Sequence, residues 1–181
     1  VFGNNFAQVC LDKGAEVMGI GRSPRKPECF SLGIKYPYHA YHITYELEYV
    51  LQKIWDFEPD YIVNFAAQGE GAASWGKDNW RFYETNCVGL TRLVGALSGY
   101  CKKFVHIGTS ELYGSRASPA NEDAAITPTS PYGVSKVAFD LHLKVMWERL
   151  KFPMNIVRPC NGYAPGQQLH RIIPKTIISG L

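Results

Sequence analysis

Tyr61-Ile62-Val63-Asn64-Phe65-Ala66 is the stretch on which the fold turns. It is short and continuously apolar, the mark of a strand buried on both faces. Before it, Leu47, Val50, Leu51 and Ile54 recur at helical spacing and stop short of Pro59. After it, Phe82, Cys87, Leu90, Leu93, Val94 and Leu97 predict a helix from about Trp80 to Leu97. A second buried strand is expected from Lys103 to Gly108, then a Pro- and Ser-containing loop as far as Ser130. A helix from Tyr132 to Leu150 follows, and then the strand Asn155-Ile156-Val157-Arg158. On the N-terminal side, Phe6, Val9 and Cys10 mark a helix closing at Gly14. Glu16 to Gly21 reads as a short buried strand, and Tyr38 to Ile43 as a weak one. Strands that alternate with helices and are apolar throughout predict an α/β fold, a doubly wound parallel sheet.

A length of 181 residues suits one domain, and 46% apolar against 19% charged residues supplies a sizeable core. The net charge of +3 is too mild and too scattered to argue for nucleic acid. Five cysteines (Cys10, Cys29, Cys87, Cys101, Cys160) form no Cys-x-x-Cys pair and are odd in number. That pattern disfavours a disulfide framework or a zinc site and fits reduced thiols. No apolar run approaches the length of a membrane span, and no signal peptide opens the chain. The expectation is a cytoplasmic protein with no metal and no membrane partner. Val1 to Phe6 enter a helix with no strand before them, and Ile172 to Leu181 stop inside an apolar periodic segment, so the chain reads as a fragment.

The chemistry-bearing residues sit where strands end. Tyr132-Gly133-Val134-Ser135-Lys136 places a phenol and an ammonium four residues apart on one helix face. A neighbouring cation favours the phenolate of a group that ordinarily titrates near 10. Alone, Tyr-x-x-x-Lys is common, and two surface residues without a task would look the same. Gly108-Thr109-Ser110-Glu111-Leu112-Tyr113-Gly114 follows a buried strand, at the end where open parallel sheets bind ligands. If that strand continues, Thr109 and Glu111 point the same way. Ala66-Ala67-Gln68 continues Asn64-Phe65 with small residues that let a ligand approach the backbone. Arg158-Pro159-Cys160-Asn161-Gly162-Tyr163-Ala164-Pro165-Gly166 is a strand end running into a turn-rich loop.

Together, in this order, these motifs resemble the extended short-chain dehydrogenase/reductases, the NAD-dependent epimerase/dehydratase family that modifies nucleotide-linked sugars. The resemblance covers nearly the whole chain. It implies catalytic roles for Thr109, Glu111, Tyr132 and Lys136. It implies cofactor contacts at Gly3, Arg22, Ser23, Ala66, Ala67, Gln68, Tyr132, Lys136 and Pro159. Substrate contacts are implied at Ser74, Asn86 (within Glu84-Thr85-Asn86), Ser110, Asn161 and Arg171. Residues 1–168 would form the NAD(P)-binding domain, lacking its first strand, and 169–181 the start of the substrate-binding part. The partners implied are a nucleotide sugar and a second copy of the chain in a homodimer. Departures from the family pattern are the missing first two glycines of the phosphate loop, Ala164 for a glycine, His42 for an aspartate, and Gly69-Glu70-Gly71 for Ser-His-Val.

In the family's mechanism Tyr132 would take the proton of the sugar's 4-hydroxyl, Thr109 would hydrogen-bond its oxygen, and Lys136 would hold the nicotinamide ribose. Glu111 would then remove the proton on carbon 5 and drive loss of the 6-hydroxyl. Thr-Ser-Glu here resembles GDP-mannose 4,6-dehydratases, so a 4,6-dehydratase is the first expectation. UDP-glucuronate decarboxylases also carry Thr-Ser-Glu, and they and the epimerases are the alternatives. A non-catalytic NAD(P)-binding regulatory protein is the reading from another class. The tip Gly19-Ile20-Gly21-Arg22-Ser23 has no carboxylate to accept ribose hydroxyls, and Arg22, with Ser23, Arg25 and Lys26, suits a phosphate. The expected cofactor is NADP, with NAD the alternative.

Overall fold

A computed structural model describes residues 1–24, 33–69, 71–115 and 119–180; Arg25, Lys26, Cys29 and Glu70 lie outside the described residues. In chain order the elements are α1 (Phe2–Asp12), β1 (Gly19–Gly21), β2 (Tyr38–Ala40), α2 (Leu47–Phe57), β3 (Tyr61–Asn64), α3 (Trp80–Tyr83), α4 (Leu90–Ala96), β4 (Lys103–Ile107), α5 (Pro131–Leu150), β5 (Met154–Val157) and α6 (Ile172–Ser179). A π-helical turn, Glu84–Gly89, joins α3 to α4, and short 3₁₀ turns occupy Gly71–Trp75 and Ser110–Tyr113. The chain forms two compact units, residues 1–42 with 161–181 and residues 43–160.

In the first unit β1 and β2 pair in parallel, Gly19 opposite Tyr38 and Gly21 opposite Ala40. The glycines let two tyrosine rings close over the strand there. A Cβ at Gly19 would lie 2.6 Å from the Tyr36 ring, and one at Gly21 would collide with the Tyr38 hydroxyl. The second unit holds the parallel sheet β3-β4-β5. Right-handed crossovers put both connecting helices on one face of such a sheet, and α5 packs against α3 and α4 as that requires. Between them lie Leu90, Val94, Leu97, Phe104, Phe139, Leu143 and Phe152, all essentially excluded from water. Each such side chain contributes about 1.5–3 kcal/mol relative to exposure.

The parallel α/β class is the one expected, and each expected element forms. β1 to β4 are shorter than the runs that predict them, and β5 keeps the expected length but begins one residue earlier. β3 stops at Asn64 because its side-chain Oδ1 takes the Ala66 N–H at 3.0 Å and turns the backbone out of the ladder. β4 stops at Ile107, and Thr109 caps a 3₁₀ turn by accepting the Glu111 N–H at 3.2 Å. The strand does not continue through Glu111. The argument from strand alternation that Thr109 and Glu111 face one way therefore does not hold.

Candidate active site

The register sets the site. Asn64 lies opposite His106, and Ile107 opposite Val157, so β3, β4 and β5 end at one level. The segments beginning at Phe65, Gly108 and Arg158 leave the sheet along that same edge, where open α/β sheets take ligands. Helix α5 starts beside them with Ser130 as its cap, accepting the Gly133 N–H at 3.0 Å, and Pro131 in its first turn. This start places Tyr132 half-buried, its ring edge-on to Phe82 at 6.2 Å.

Glu111 and Tyr132 come together around Gly71. A Cβ on that glycine would sit 3.3 Å from Glu111 Oε2 and 3.8 Å from Tyr132 Cδ1. Ser130 Oγ donates to the same Oε2 at 3.4 Å, so the helix cap also holds the carboxylate. Thr109 is buried, and Ser110 N–H donates to the Pro159 carbonyl at 3.2 Å, joining two of the edge segments.

Asn86 and Ser74, both expected at a substrate, are hydrogen-bonded within the fold. Asn86 is wholly buried: its Oδ1 accepts the Gln68 N–H at 2.7 Å, and its Nδ2 donates to the Gln68 carbonyl and to Ser135 Oγ, each at 3.0 Å. The π turn aims it there, which makes it the clamp of the Ala66-Ala67-Gln68 segment. Ser74, also wholly buried, donates to the Gly71 carbonyl at 2.5 Å and fixes the turn that faces Glu111.

Lys136 is 1% exposed and faces inward, donating to the Ile107 carbonyl at 2.8 Å and meeting His106 Nε2 at 3.3 Å. Burial drives its pKa down to about 8, partly offset by the Asp140 carboxylate. His106 is fully buried, and burial, reinforced by Lys136, drives its pKa down to about 2. Burial also raises Asp140 above the usual carboxylate range, against the pull of Arg158, which donates to it at 3.1 Å. Arg158 donates as well to the Tyr113 hydroxyl at 3.0 Å. Asn64, Ser130, Ser135, Asp140 and Arg158 carry much of this arrangement, and sequence reasoning did not single them out. Asp140, four residues after Lys136 on one helix face, was the available signal.

The remaining expected residues belong to the first unit. Gly3 lies in the first turn of α1; Arg22 and Ser23 are exposed in the turn after β1. The Ser23 carbonyl accepts from the Tyr38 hydroxyl at 2.8 Å. Asn161 is exposed, as is Arg171, which precedes α6 without capping it through its side chain.

A model described as the NAD dependent epimerase/dehydratase family matches residues 1–180. The chain belongs to that family. Among curated relatives it is 36% identical over 120 residues to the dTDP-D-glucose 4,6-dehydratase of Mus musculus, covering 65% of this chain and 34% of that protein. It is 30% identical over 142 residues to the dTDP-D-glucose 4,6-dehydratase of Dictyostelium discoideum, covering 71% and 32%. The chain thus spans about a third of the length of the curated relatives it matches. Among solved structures it resembles a Thermus thermophilus UDP-glucose 4-epimerase in complex with NAD, at a TM-score of 0.86 and 26% identity, over 98% of this chain and 58% of that one. This family member also resembles a Bacillus cereus UDP-glucuronic acid 4-epimerase in complex with UDP-glucuronic acid and NAD, at a TM-score of 0.82 and 26% identity, over 98% and 60%. Among the described residues, no helix is long and apolar enough to cross a membrane.

Proposed function

We propose that the chain is the catalytic, NAD(P)-binding part of a nucleotide-sugar 4,6-dehydratase that works by transient oxidation at carbon 4. One observation carries the reading: the Glu111 carboxylate and the Tyr132 ring meet at Gly71, with Ser130 holding the carboxylate. A proton acceptor for a hydroxyl and a second base beside it are what oxidation followed by elimination requires. The small-residue segment Ala66-Ala67-Gln68, held by Asn86, would let a dinucleotide approach its backbone. Residues 1–168 would hold it, and 169–181 would begin the substrate-binding part.

The dinucleotide supplies a hydride acceptor when bound. Tyr132 takes the proton of the 4-hydroxyl, and Thr109 hydrogen-bonds that oxygen. Lys136 supports the phenolate and the ribose. The resulting ketone acidifies carbon 5; Glu111 would remove that proton while the 6-hydroxyl takes a proton and leaves as water. Return of the hydride to carbon 6 with a proton to carbon 5 would restore the dinucleotide, so that the net change is loss of water. A UDP-glucuronate decarboxylase or an epimerase would use the first of these steps and not Glu111 in this role. Mass analysis after incubating the full chain with a panel of nucleotide sugars separates them: loss of water supports this reading, whereas loss of carbon dioxide or unchanged mass overturns it.

Two finer features belong to the same reading. NADP is preferred over NAD, because Arg22 and Ser23 stand exposed where a carboxylate would serve NAD. The protein works as a homodimer, because α5 presents Val134, Leu141 and Val145, exposed and spaced along one helix face.

A further inference from the structure

Lys136, His106, Asp140 and Arg158 form one cluster near the ends of β4 and β5 in the second unit. Lys136 is 1% exposed, and among the described residues the groups that meet its Nζ are uncharged: the Ile107 carbonyl at 2.8 Å and the His106 ring at 3.3 Å. The imidazole stays neutral because burial, and then the Lys136 charge beside it, hold its pKa at about 2. An ammonium taken out of water with no anion in reach tends to give up its proton. The anion in reach is Asp140, one turn onward on the same face of α5. His106 Nε2 is close to both, 3.3 Å from Nζ and 3.6 Å from Asp140 Oδ1. Asp140 is itself 3% exposed and is fastened on one side. Its Oδ2 accepts from Arg158 Nε at 3.1 Å, while Oδ1 accepts no hydrogen bond among the described residues. Gly108 makes room for the group, since a Cβ there would stand 3.3 Å from Oδ1 and 3.4 Å from Oδ2. A buried carboxylate oxygen without a hydrogen bond costs free energy, and a cation nearby lowers that cost.

We propose that Asp140 is a positioning residue for Lys136: pinned through Oδ2 by Arg158, its carboxylate supplies the negative charge that keeps the buried lysine an ammonium. Burial acts against the lysine's charge, and Asp140 acts for it. The coupling runs both ways, since the Lys136 charge helps to keep the Asp140 carboxyl ionised against its own burial. The titratable and charged groups facing the pair are His106 from β4 and Arg158 just beyond β5. The first is neutral, and the second is a cation that shares Asp140 with the lysine. Tyr113, from the 3₁₀ turn, joins through its hydroxyl, which accepts from Arg158 at 3.0 Å. The consequence for catalysis rests on the roles proposed above for Tyr132 and Lys136; the charge coupling does not.

The test reads each member of the pair while the other is changed, in the full chain labelled with nitrogen-15 at lysine and carbon-13 at the aspartate carboxyl. Both signals are assigned through bonds to their own backbone amides. In the wild type, Lys136 is expected to be an ammonium and Asp140 a carboxylate at about pH 7. In Asp140→Asn, which removes the charge and keeps the shape, the Lys136 midpoint should fall by about one pH unit or more. In Lys136→Met the Asp140 midpoint should rise by about as much, because coupling between two sites is reciprocal. An anchor for Arg158 and nothing else would move neither midpoint. A neutral amine or a protonated carboxyl in the wild type at that pH, or an unmoved midpoint in either variant, would overturn the proposal. If one variant does not fold, the other decides. None of these signals requires turnover, so failure of the dehydratase reading, which product mass reports, would leave them standing.

Discussion

The two units are built from the same pattern of parallel strands and helices and use it differently. The second unit buries Leu90, Leu93, Val94, Phe104, Phe139, Leu143 and Phe152 and threads a polar chain from Asn64 to Arg158 through that core. In the first unit the buried hydrophobic residues among those described are Ala7 and Ile34. Its helices show Phe2, Phe6 and Val9 on α1, and Ile172, Ile177 and Ile178 on α6, to solvent. Groups that move protons must be held to within fractions of an ångström, which takes a packed scaffold. Groups that meet a charged ligand can stand on exposed turns, and Arg22 and Ser23, proposed for that role, are exposed. Under the proposed function, chemistry would fall to one unit and ligand selection to the other, and substitutions can break that division.

The largest effect is expected for Tyr132→Phe. Removing the phenolic oxygen while keeping the ring against Phe82 should lower turnover by about 10³-fold, with dinucleotide affinity changed by less than about twofold. Steady-state kinetics and calorimetric titration check the two halves, and near-normal turnover would end the assignment. Glu111→Gln should be selective: the elimination falls by about 10²-fold while oxidation at carbon 4 persists. Solvent deuterium should then no longer enter at carbon 5; continued entry would point to another base.

Stability sharpens the same comparison. Phe104→Ala empties a fully buried site against Phe152, at a centroid distance of 5.8 Å, and should cost about 3–5 kcal/mol. Phe6→Ala, at a side chain 43% exposed, should cost less than about 1 kcal/mol. Urea unfolding of both variants measures the difference, and equal losses would mean that the first unit has a core of its own.

The reading from sequence succeeded where a physical period repeats. Continuous apolar runs marked β3, β4 and β5, and helical spacing marked α1, α2 and the run through α3 and α4, because burial imposes those patterns directly. Strand ends escaped it, since they depend on single side chains such as Asn64 and Thr109 recapturing a backbone N–H. The π turn also escaped, because one extra residue per turn shifts a face without erasing its apolar spacing. Tyr132, Lys136 and Glu111 were legible as motif members. The chain through His106, Asp140 and Arg158 was not, because its members lie on three elements and each has an ordinary explanation in isolation. The hydrogen bonds of Asn86 and Ser74 were not legible either, because what an amide or hydroxyl touches is decided by the fold.

That buried chain gives a pH dependence with a defined sign. His106 has a folded pKa of about 2 against an ordinary 6.5, so below about pH 6.5 the unfolded chain binds a proton that the folded one refuses. Stability should fall as pH drops through that value, by up to about 1.4 kcal/mol per unit. Lys136, at about 8 against 10.5, acts in the same sense at alkaline pH, where stability should rise between those values. Asp140, raised by burial, opposes the trend further into acid, so the clean window lies just below about pH 6.5. Urea titrations across it should show a slope in the wild type that flattens by about one proton in His106→Leu.

The smallest effect expected is on the first unit's exposed turn, and it is the strictest test of the division. Arg22 offers a planar, permanently charged fork at the tip of β1, and such a fork pairs with a phosphate dianion far better than with a neutral hydroxyl. The turn is anchored rather than loose, because Tyr38 donates to the Ser23 carbonyl at 2.8 Å and its ring closes over Gly21. Removing the guanidinium should therefore cost affinity without disturbing the backbone. Arg22→Ala should weaken the phosphorylated dinucleotide by about tenfold, the size of one exposed charge-assisted contact of about 1.4 kcal/mol. It should leave the unphosphorylated form unchanged, because hydroxyls gain little from the charge. With cofactor at saturation, turnover should also be unchanged, since no reacting group lies on this turn. Calorimetric titration with both dinucleotides, beside turnover at saturating cofactor, reads all three quantities. Equal weakening of both forms would make the turn a general electrostatic surface and remove the case for NADP. A fall in saturated turnover would break the division itself, since an exposed residue of the first unit would then be acting on the chemistry of the second.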